Sequence, residues 1–457
     1  GDTTVIIFGT NRTVFLVSED STILAPDRSI TLAVTYRPSI SGAVRDTLEI
    51  SSNAPIGFGL MYVVLRGEGN ALSLEPSPAI AVGEHPVDMA MAALDGVAGV
   101  DLAIVDSVGG LVHVLLNDGA GEFPVAGRRT YPNAGSAFGP WVEPVAVAAA
   151  PIFGPTATDL IIGDRVARSI SLLANDGSGR FDGRREDIFI GHQLSDIVAV
   201  DLDTDGDVDI AVANGPNTDT ITLLYNDGHG GMSARVVLPV QTGSVALAAG
   251  QLNADGYVDL VVANRFSNSV TVLINDRNGS FVAGAHHAVG VSPLDVAIFD
   301  MDADGDLDIA ASSSGSRSVS LLRNNGLGSF QAAAAPQSTS LRPVAIAADG
   351  MTADILNDIV AGGGGDFLVF FENVDGTLFE RQDIDTGFPI RDIQLVDLDN
   401  NRVSDLIVLS ADSARVRVYH NRLTGRNVPP RAPARLTATD VRRDLGGRIV
   451  LSWEDGD

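Results

Sequence analysis

The 457 residues contain no cysteine, which excludes disulfides, thiolate metal sites and cysteine nucleophiles. Lysine is absent too, so every basic side chain apart from histidine is arginine, a bias that reads as codon usage and carries little functional content. Aromatic residues are scarce at 5%, and no apolar run approaches the ~18 residues of a membrane span. No signal peptide is recognisable at Gly1, which is read as lying inside a domain. Positive charge is in short supply, leaving a formal net charge of -28. That balance argues against nucleic acid, whose phosphates need clustered basic side chains, and against electrostatic docking on an anionic membrane. The acidity then reflects either a solvated surface or carboxylates gathered around cations.

What is plentiful is glycine, 49 residues, in a chain that is 45% hydrophobic, a composition suited to short strands and tight turns. Seven strand-like segments each open with an aspartate, at Asp101, Asp159, Asp209, Asp259, Asp308, Asp358 and Asp405. They recur roughly every fifty residues, which marks an internal repeat. Most follow a short apolar run, such as 197–200 or 296–299, and lead through a polar loop into a third apolar run, as in ITLLYND from Ile221. Asn-Asp-Gly turns follow at 117–119, 175–177 and 226–228, a strong hairpin signal. A fourth, weaker strand comes after an apolar anchor: Phe123, Phe181, Met232, Phe281, Phe330 or Phe379. Four short strands per unit is one propeller blade, and a blade buries its faces only against its neighbours. The fold class predicted is therefore all-β, a seven-bladed propeller over residues 71–424. The seventh copy lacks a fourth strand, whereas PSPAIAVGEHPVDMA at 76–90 matches AGAHHAVGVSPLDVA at 283–297. Residues 79–82 are thus predicted to complete the last blade beside 416–420, closing the ring and protecting its edge.

Ahead of the repeated aspartates lie the loops DLDTDGDVD (201–209), QLNADGYVD (251–259), DMDADGDLD (300–308) and DLDNNRVSD (397–405). Oxygen ligands at alternate positions, a glycine for the reversal and a final carboxylate are how a short loop wraps a hard cation, and calcium takes 6–8 such oxygens. The side-chain ligands predicted are Asp201, Asp203, Asp205 and Asp209 in the third copy, with the carbonyl of Asp207. The fourth offers Gln251, Asn253, Asp255 and Asp259 with the carbonyl of Tyr257. The fifth offers Asp300, Asp302, Asp304 and Asp308 with that of Asp306. The seventh offers Asp397, Asp399, Asn401 and Asp405 with that of Val403. Aspartates in turns often only cap backbone amides, but no turn needs four spaced carboxylates. The third and fifth loops should bind calcium tightest. In the seventh, Arg402 stands where Gly206, Gly256 and Gly305 stand in the others. The first, second and sixth copies keep too few carboxylates for a metal.

These loops, set in repeats of this length, resemble the FG-GAP/VCBS propellers of integrin alpha subunits and many secreted bacterial proteins. The resemblance implies two to four Ca2+ sites and an extracellular or cell-surface location. At the flanks, residues 1–70 resemble the second half of an ASH-type immunoglobulin-like domain, through Pro26, the Tyr36-Arg37-Pro38 run, Gly42, Ser52, Asn53 and the closing LRGEG at 65–69. Residues 425–457 read as a Pro/Arg-rich linker and then, in PPRAPARLTATD and RIVLSW with Trp453, resemble the opening of a fibronectin type III domain.

No catalytic constellation emerges. The histidines His85, His113, His192, His229, His286, His287 and His420 occupy different blade positions without a recurring carboxylate partner and read as surface or loop residues. There is no G-x-S-x-G elbow, and GGGG at 362–365 is followed by no Lys-Ser/Thr. A non-enzymatic binding, adhesion or scaffolding module is the economical reading, with a polysaccharide-acting enzyme or a purely structural subunit as alternatives. In the family resembled, the calcium loops lie on one face and the opposite face is formed by loops from second to third strand and from each blade to the next, where a protein or glycan ligand is expected. There the candidates are Tyr131, Phe138 and Trp141 in a Gly/Pro-rich loop, with Arg165, Arg265 and Phe266 nearby.

Overall fold

A computed structural model describes residues 72–423 almost continuously, apart from short stretches of which 133–142 is the longest, and outside that range the strands only. The chain forms two compact units. One comprises Leu74–Met351 with Ile355–Arg422, and the other Gly1–Ser73, Thr352–Asp354 and Leu423–Asp457.

Among the described residues, the first of these is a seven-bladed β-propeller of antiparallel blades four strands deep, the outermost strand of the fifth and seventh blades coming in two pieces. Each second strand is buried on both faces, as the all-buried runs Asp101–Asp106 and Asp259–Asn264 illustrate, because blades pack on either side of it. That is why these strands read as near-continuous apolar runs instead of alternating ones. First strands such as Pro144–Ala150 and Ser244–Gly250 are alanine-rich. They converge on the axis, where only small side chains fit the taper.

The last blade consists of Asp392–Val396, Asp405–Ser410 and Arg415–Asn421, and the N-terminal side of the ring completes it. Ile80 pairs with Val416 and Ala81 with Arg415, as the repeat pattern predicted. A second closing piece, Leu74–Pro76, pairs with Tyr419–Asn421.

A hydrogen-bonded belt ties the blades together. The aspartate that opens each second strand is buried, 3% exposed at most. One of its carboxylate oxygens accepts the backbone N–H of an apolar residue seven positions earlier: Leu94, Ile152, Leu202, Leu252, Met301, Met351 or Leu398. The other accepts the N–H of an asparagine at the end of the third strand: Asn117, Asn175, Asn226, Asn275, Asn324, Asn373 or Asn421. The Nδ2 of that asparagine donates to the carbonyl of the same apolar residue in the preceding blade. The chain of bonds runs through all seven blades and closes where Asn117 of the first reaches Leu398 of the last. Every member is satisfied by another, the condition under which a buried polar network stabilises.

The other unit is described by its strands. Four of them are ordered Ser21–Leu24, Thr3–Gly9, Gly42–Ser52, Leu60–Gly69, and Phe15–Val17 pairs with Val34–Tyr36. Arg435–Asp440 lies between Ile449–Glu454 and Ser29–Leu32, so both chain ends contribute to one sheet. Among the described residues no helix is long and apolar enough to cross a membrane.

Candidate metal centres and the propeller axis

The four acidic loops connect first to second strands, and their backbone is wound to turn side chains inward. Two left-handed residues occur in each: Thr204 and Gly206, Ala254 and Gly256, Ala303 and Gly305, and Asn400 and Arg402. The first carboxylate holds this winding. Asp201 accepts the N–H groups of Thr204 and Gly206, at 2.7 and 3.1 Å. Asp300 accepts that of Gly305 at 3.0 Å, and Asp397 accepts that of Arg402 at 2.7 Å. Arg402 thus takes the strained position, with φ 74°, where the other loops use glycine. A left-handed arginine costs roughly 1–2 kcal/mol.

Among the described residues, three groups of ligand atoms lie within 4.8 Å of one another: Asp201, Asp203 and Asp209; Asp300, Asp302 and Asp304; and Asp399, Asp405 and His420. Burial, with the neighbouring loop carboxylates next, raises the pKa of Asp203. For Asp302 burial raises it too, against the lowering effect of Arg323 at 3.2 Å. The belt aspartates Asp209 and Asp308 are pushed up to about 6, first by burial. In the fifth loop one oxygen each of Asp300 and Asp302 is buried without a hydrogen-bond partner. Buried polar atoms are rarely left so, and an oxygen-binding dication fits them. In the fourth loop, Asp255 instead accepts from the amide of Asn253 at 3.2 Å and lies 3.8 Å from Arg277, while Gln251 is exposed. In the seventh, Asn401 donates to the carbonyl of Asn421 and its own oxygen accepts the N–H of Val403.

Of the residues expected on the opposite face, Phe138 and Trp141 lie outside the described residues. Tyr131 belongs to the join between the first two blades: its hydroxyl donates to the carbonyl of Gly179 and its ring meets Phe181 edge-on. Arg165 pairs with Glu143. Arg265 donates to Ser292 and lies over the ring of Phe266, which is 57% exposed. His85 approaches Ser107 at 3.0 Å, but Asp106 spends its oxygens on the backbone N–H groups of residues 84, 85, 108 and 109. No triad is formed there.

Sequence reasoning missed the axis. Asp88, Asp196, Asp295 and Asp392 sit on the first strands of blades one, three, five and seven, each only part-exposed. Each accepts a backbone N–H from the next blade, of Val147, Leu247, Ile346 and Met89 respectively. Blades two, four and six carry Ala146, Ala246 and Ala345 at the matching position. Because seven is odd, this alternation must fail once, and it does between blades seven and one, where Asp392 and Asp88 are neighbours. Arg391 stands at that seam, donating to the carbonyl of Val87. Burial is the main cause that pushes Asp88 and Asp295 up to about 6 and Asp196 and Asp392 well above the usual carboxylate range. Mutual repulsion adds to it at Asp196 and Asp392. The available signal was a lone aspartate in alternate copies of an otherwise apolar strand: PVDMA, SDIVA, PLDVA and RDIQL.

A family model for the FG-GAP-like repeat matches residues 201–262 and 251–311, the span that holds the third, fourth and fifth loops. No curated protein matches the sequence. Among solved structures the chain is similar to BBS1N, crystallised in complex with ARL6DN and soaked with mercury, at 11% identity and TM-score 0.55 over 78% of this chain and 100% of that one. A lead-soaked crystal of the same complex matches at 12% identity and TM-score 0.55, over 78% and 98%. Raptor from Chaetomium thermophilum matches at 15% identity and TM-score 0.51, over 76% of this chain but 29% of that one. Identities this low show the fold alone. The chain is a seven-bladed propeller in which residues 201–311 match FG-GAP-like repeats.

Proposed function

We propose that this propeller is a calcium-stabilised, non-enzymatic binding or scaffolding module of an extracellular protein, flanked by immunoglobulin-like and fibronectin type III-like elements. The observation that carries the calcium reading is the fifth loop, where Asp300, Asp302 and Asp304 each offer a carboxylate oxygen within 4.8 Å of the others, and Asp300 and Asp302 each keep one buried oxygen without a hydrogen-bond partner. Calcium, when bound, supplies a hard divalent charge against which clustered carboxylates no longer repel one another. Asp201, Asp203, Asp205 and Asp209 would hold it in the third blade, and Asp300, Asp302, Asp304 and Asp308 in the fifth. The last residue of each set is also a belt aspartate, so a bound ion stabilises the joints between blades as well as its own loop. A protein or glycan partner is assigned to the opposite face, where Phe266 is exposed beside Arg265.

Calorimetric titration with Ca2+ after chelation tests the metal. Uptake of at least two equivalents, with a rise in melting temperature, is expected, and a melting curve indifferent to chelator would refute it. A glycan array and a polysaccharide-degradation screen, both with calcium, test the rest. Turnover of any polysaccharide would overturn the non-enzymatic reading.

A further inference from the structure

The seventh loop differs from its fellows in one ligand type. Immediately before the belt asparagine the other copies carry Leu116, Ala174, Tyr225, Ile274, Arg323 and Glu372, and only the seventh carries a histidine, His420. This imidazole is 1% exposed, covered by the first blade's turn at Gly121, where a Cβ would come within 2.8 Å of its Cε1. Neither ring nitrogen makes a hydrogen bond. Nδ1 stands 3.9 Å from Oδ2 of Asp405, too far for one. A ring nitrogen lies within 4.8 Å of carboxylate oxygens of both Asp399 and Asp405. Two ligands sharing an ion through ~2.1 Å bonds stand roughly 3–4 Å apart, so this spacing suits a shared dication better than a direct contact.

We propose that blade seven holds a mixed nitrogen–oxygen site for a first-row transition dication of the Zn2+ kind, with Asp399, Asp405 and His420 as ligands. Imidazole favours such ions, whereas calcium prefers oxygen alone. The far side of the ring supports the assignment. Nε2 makes no hydrogen bond but has the Glu122 carboxylate 3.4 Å away, the kind of group to which metal-bound histidines characteristically hand their second N–H. Asp399 is also gripped by Arg422 at 3.1 Å through Oδ2, while its Oδ1 accepts only the backbone N–H of Asn401, so the carboxylate retains lone pairs for an ion. The inference goes beyond the calcium reading: it replaces calcium in this loop and does not rest on calcium in blades three and five.

The test is titration of Zn2+ into protein already saturated with Ca2+. One further equivalent should bind, and His420→Gln and Asp399→Ala should each weaken it at least ~tenfold, while His286→Gln leaves it unchanged. Because His420 is buried, pulsed EPR of the Cu2+-loaded unaltered protein gives a second readout, in which nuclear modulation from one directly coordinated imidazole is expected. Zn2+ that only displaces Ca2+, equal affinity in His420→Gln, or an all-oxygen EPR signature would each overturn the proposal. Should blades three and five take no calcium while the Zn2+ equivalent and its nitrogen signature persist, the calcium reading falls and this one stands. The reverse result separates them the other way.

Discussion

Asp159→Ala isolates the structural duty of the repeated aspartate, because the second blade has no acidic loop. Asp159 is 3% exposed and accepts three backbone N–H groups, from Ile152, Phe153 and Asn175, each at 2.9 Å. Alanine would strand all three donors. Ile152 is fully buried and cannot turn to water, whereas Phe153 and Asn175 are only partly buried. An unsatisfied buried donor costs ~1–3 kcal/mol, so the loss should be about 3–6 kcal/mol once water has compensated part of the exposed side. The belt also breaks at two points, since Ile152 is the residue whose carbonyl receives Asn226 of the next blade. Guanidinium unfolding followed by far-UV circular dichroism measures the loss, in chelator and again in calcium. The two conditions should agree within error. A loss below ~1 kcal/mol, or one seen only with calcium present, would refute the belt as a metal-independent device.

Other outcomes follow from the same geometry. Asp304→Ala or Asp205→Ala should remove much of the calcium-induced rise in melting temperature, and Asp255→Ala much less, because Asn253 and Arg277 already engage that carboxylate; differential scanning fluorimetry reads this directly. Arg402→Gly should stabilise the chain by about 1 kcal/mol by relieving a left-handed arginine, and an unchanged denaturation midpoint would contradict it. In chelator, stability should fall as pH rises from about 4 to about 6. Asp88 and Asp295, pushed up to about 6 from 3.8, bind their protons more tightly folded than unfolded. Asp209 and Asp308 act in the same sense. Melting temperatures at pH 5 and 7 check the sign, and Asp88→Asn, which can still accept from Val147, should shrink the difference.

The repeat period, the apolar second strands and the exchanged closing segment were legible in the sequence, because each is a local pattern copied seven times over. The acidic loops, present in four of the seven copies, were legible as well. Alternating carboxylates around a glycine are a property of nine consecutive residues, and Arg402 could be marked as misplaced before its φ was known. Other features depended on residues that only the closed ring brings together. Asn117 and Leu398 are 281 positions apart, and nothing near either one tells that an amide of the first blade reaches a carbonyl of the last. The turn asparagines advertised hairpins, and their second task, bridging blades, appears only when neighbouring sheets stack. Asp88 and Asp392 are each a lone aspartate in an otherwise apolar strand, and only the curvature of the ring sets all four such residues around one axis. His420 was one histidine among seven until folding stripped it of water beside two carboxylates. Local geometry is written in neighbouring residues; burial, and the chemistry burial enforces, is set by which distant surfaces close over a side chain.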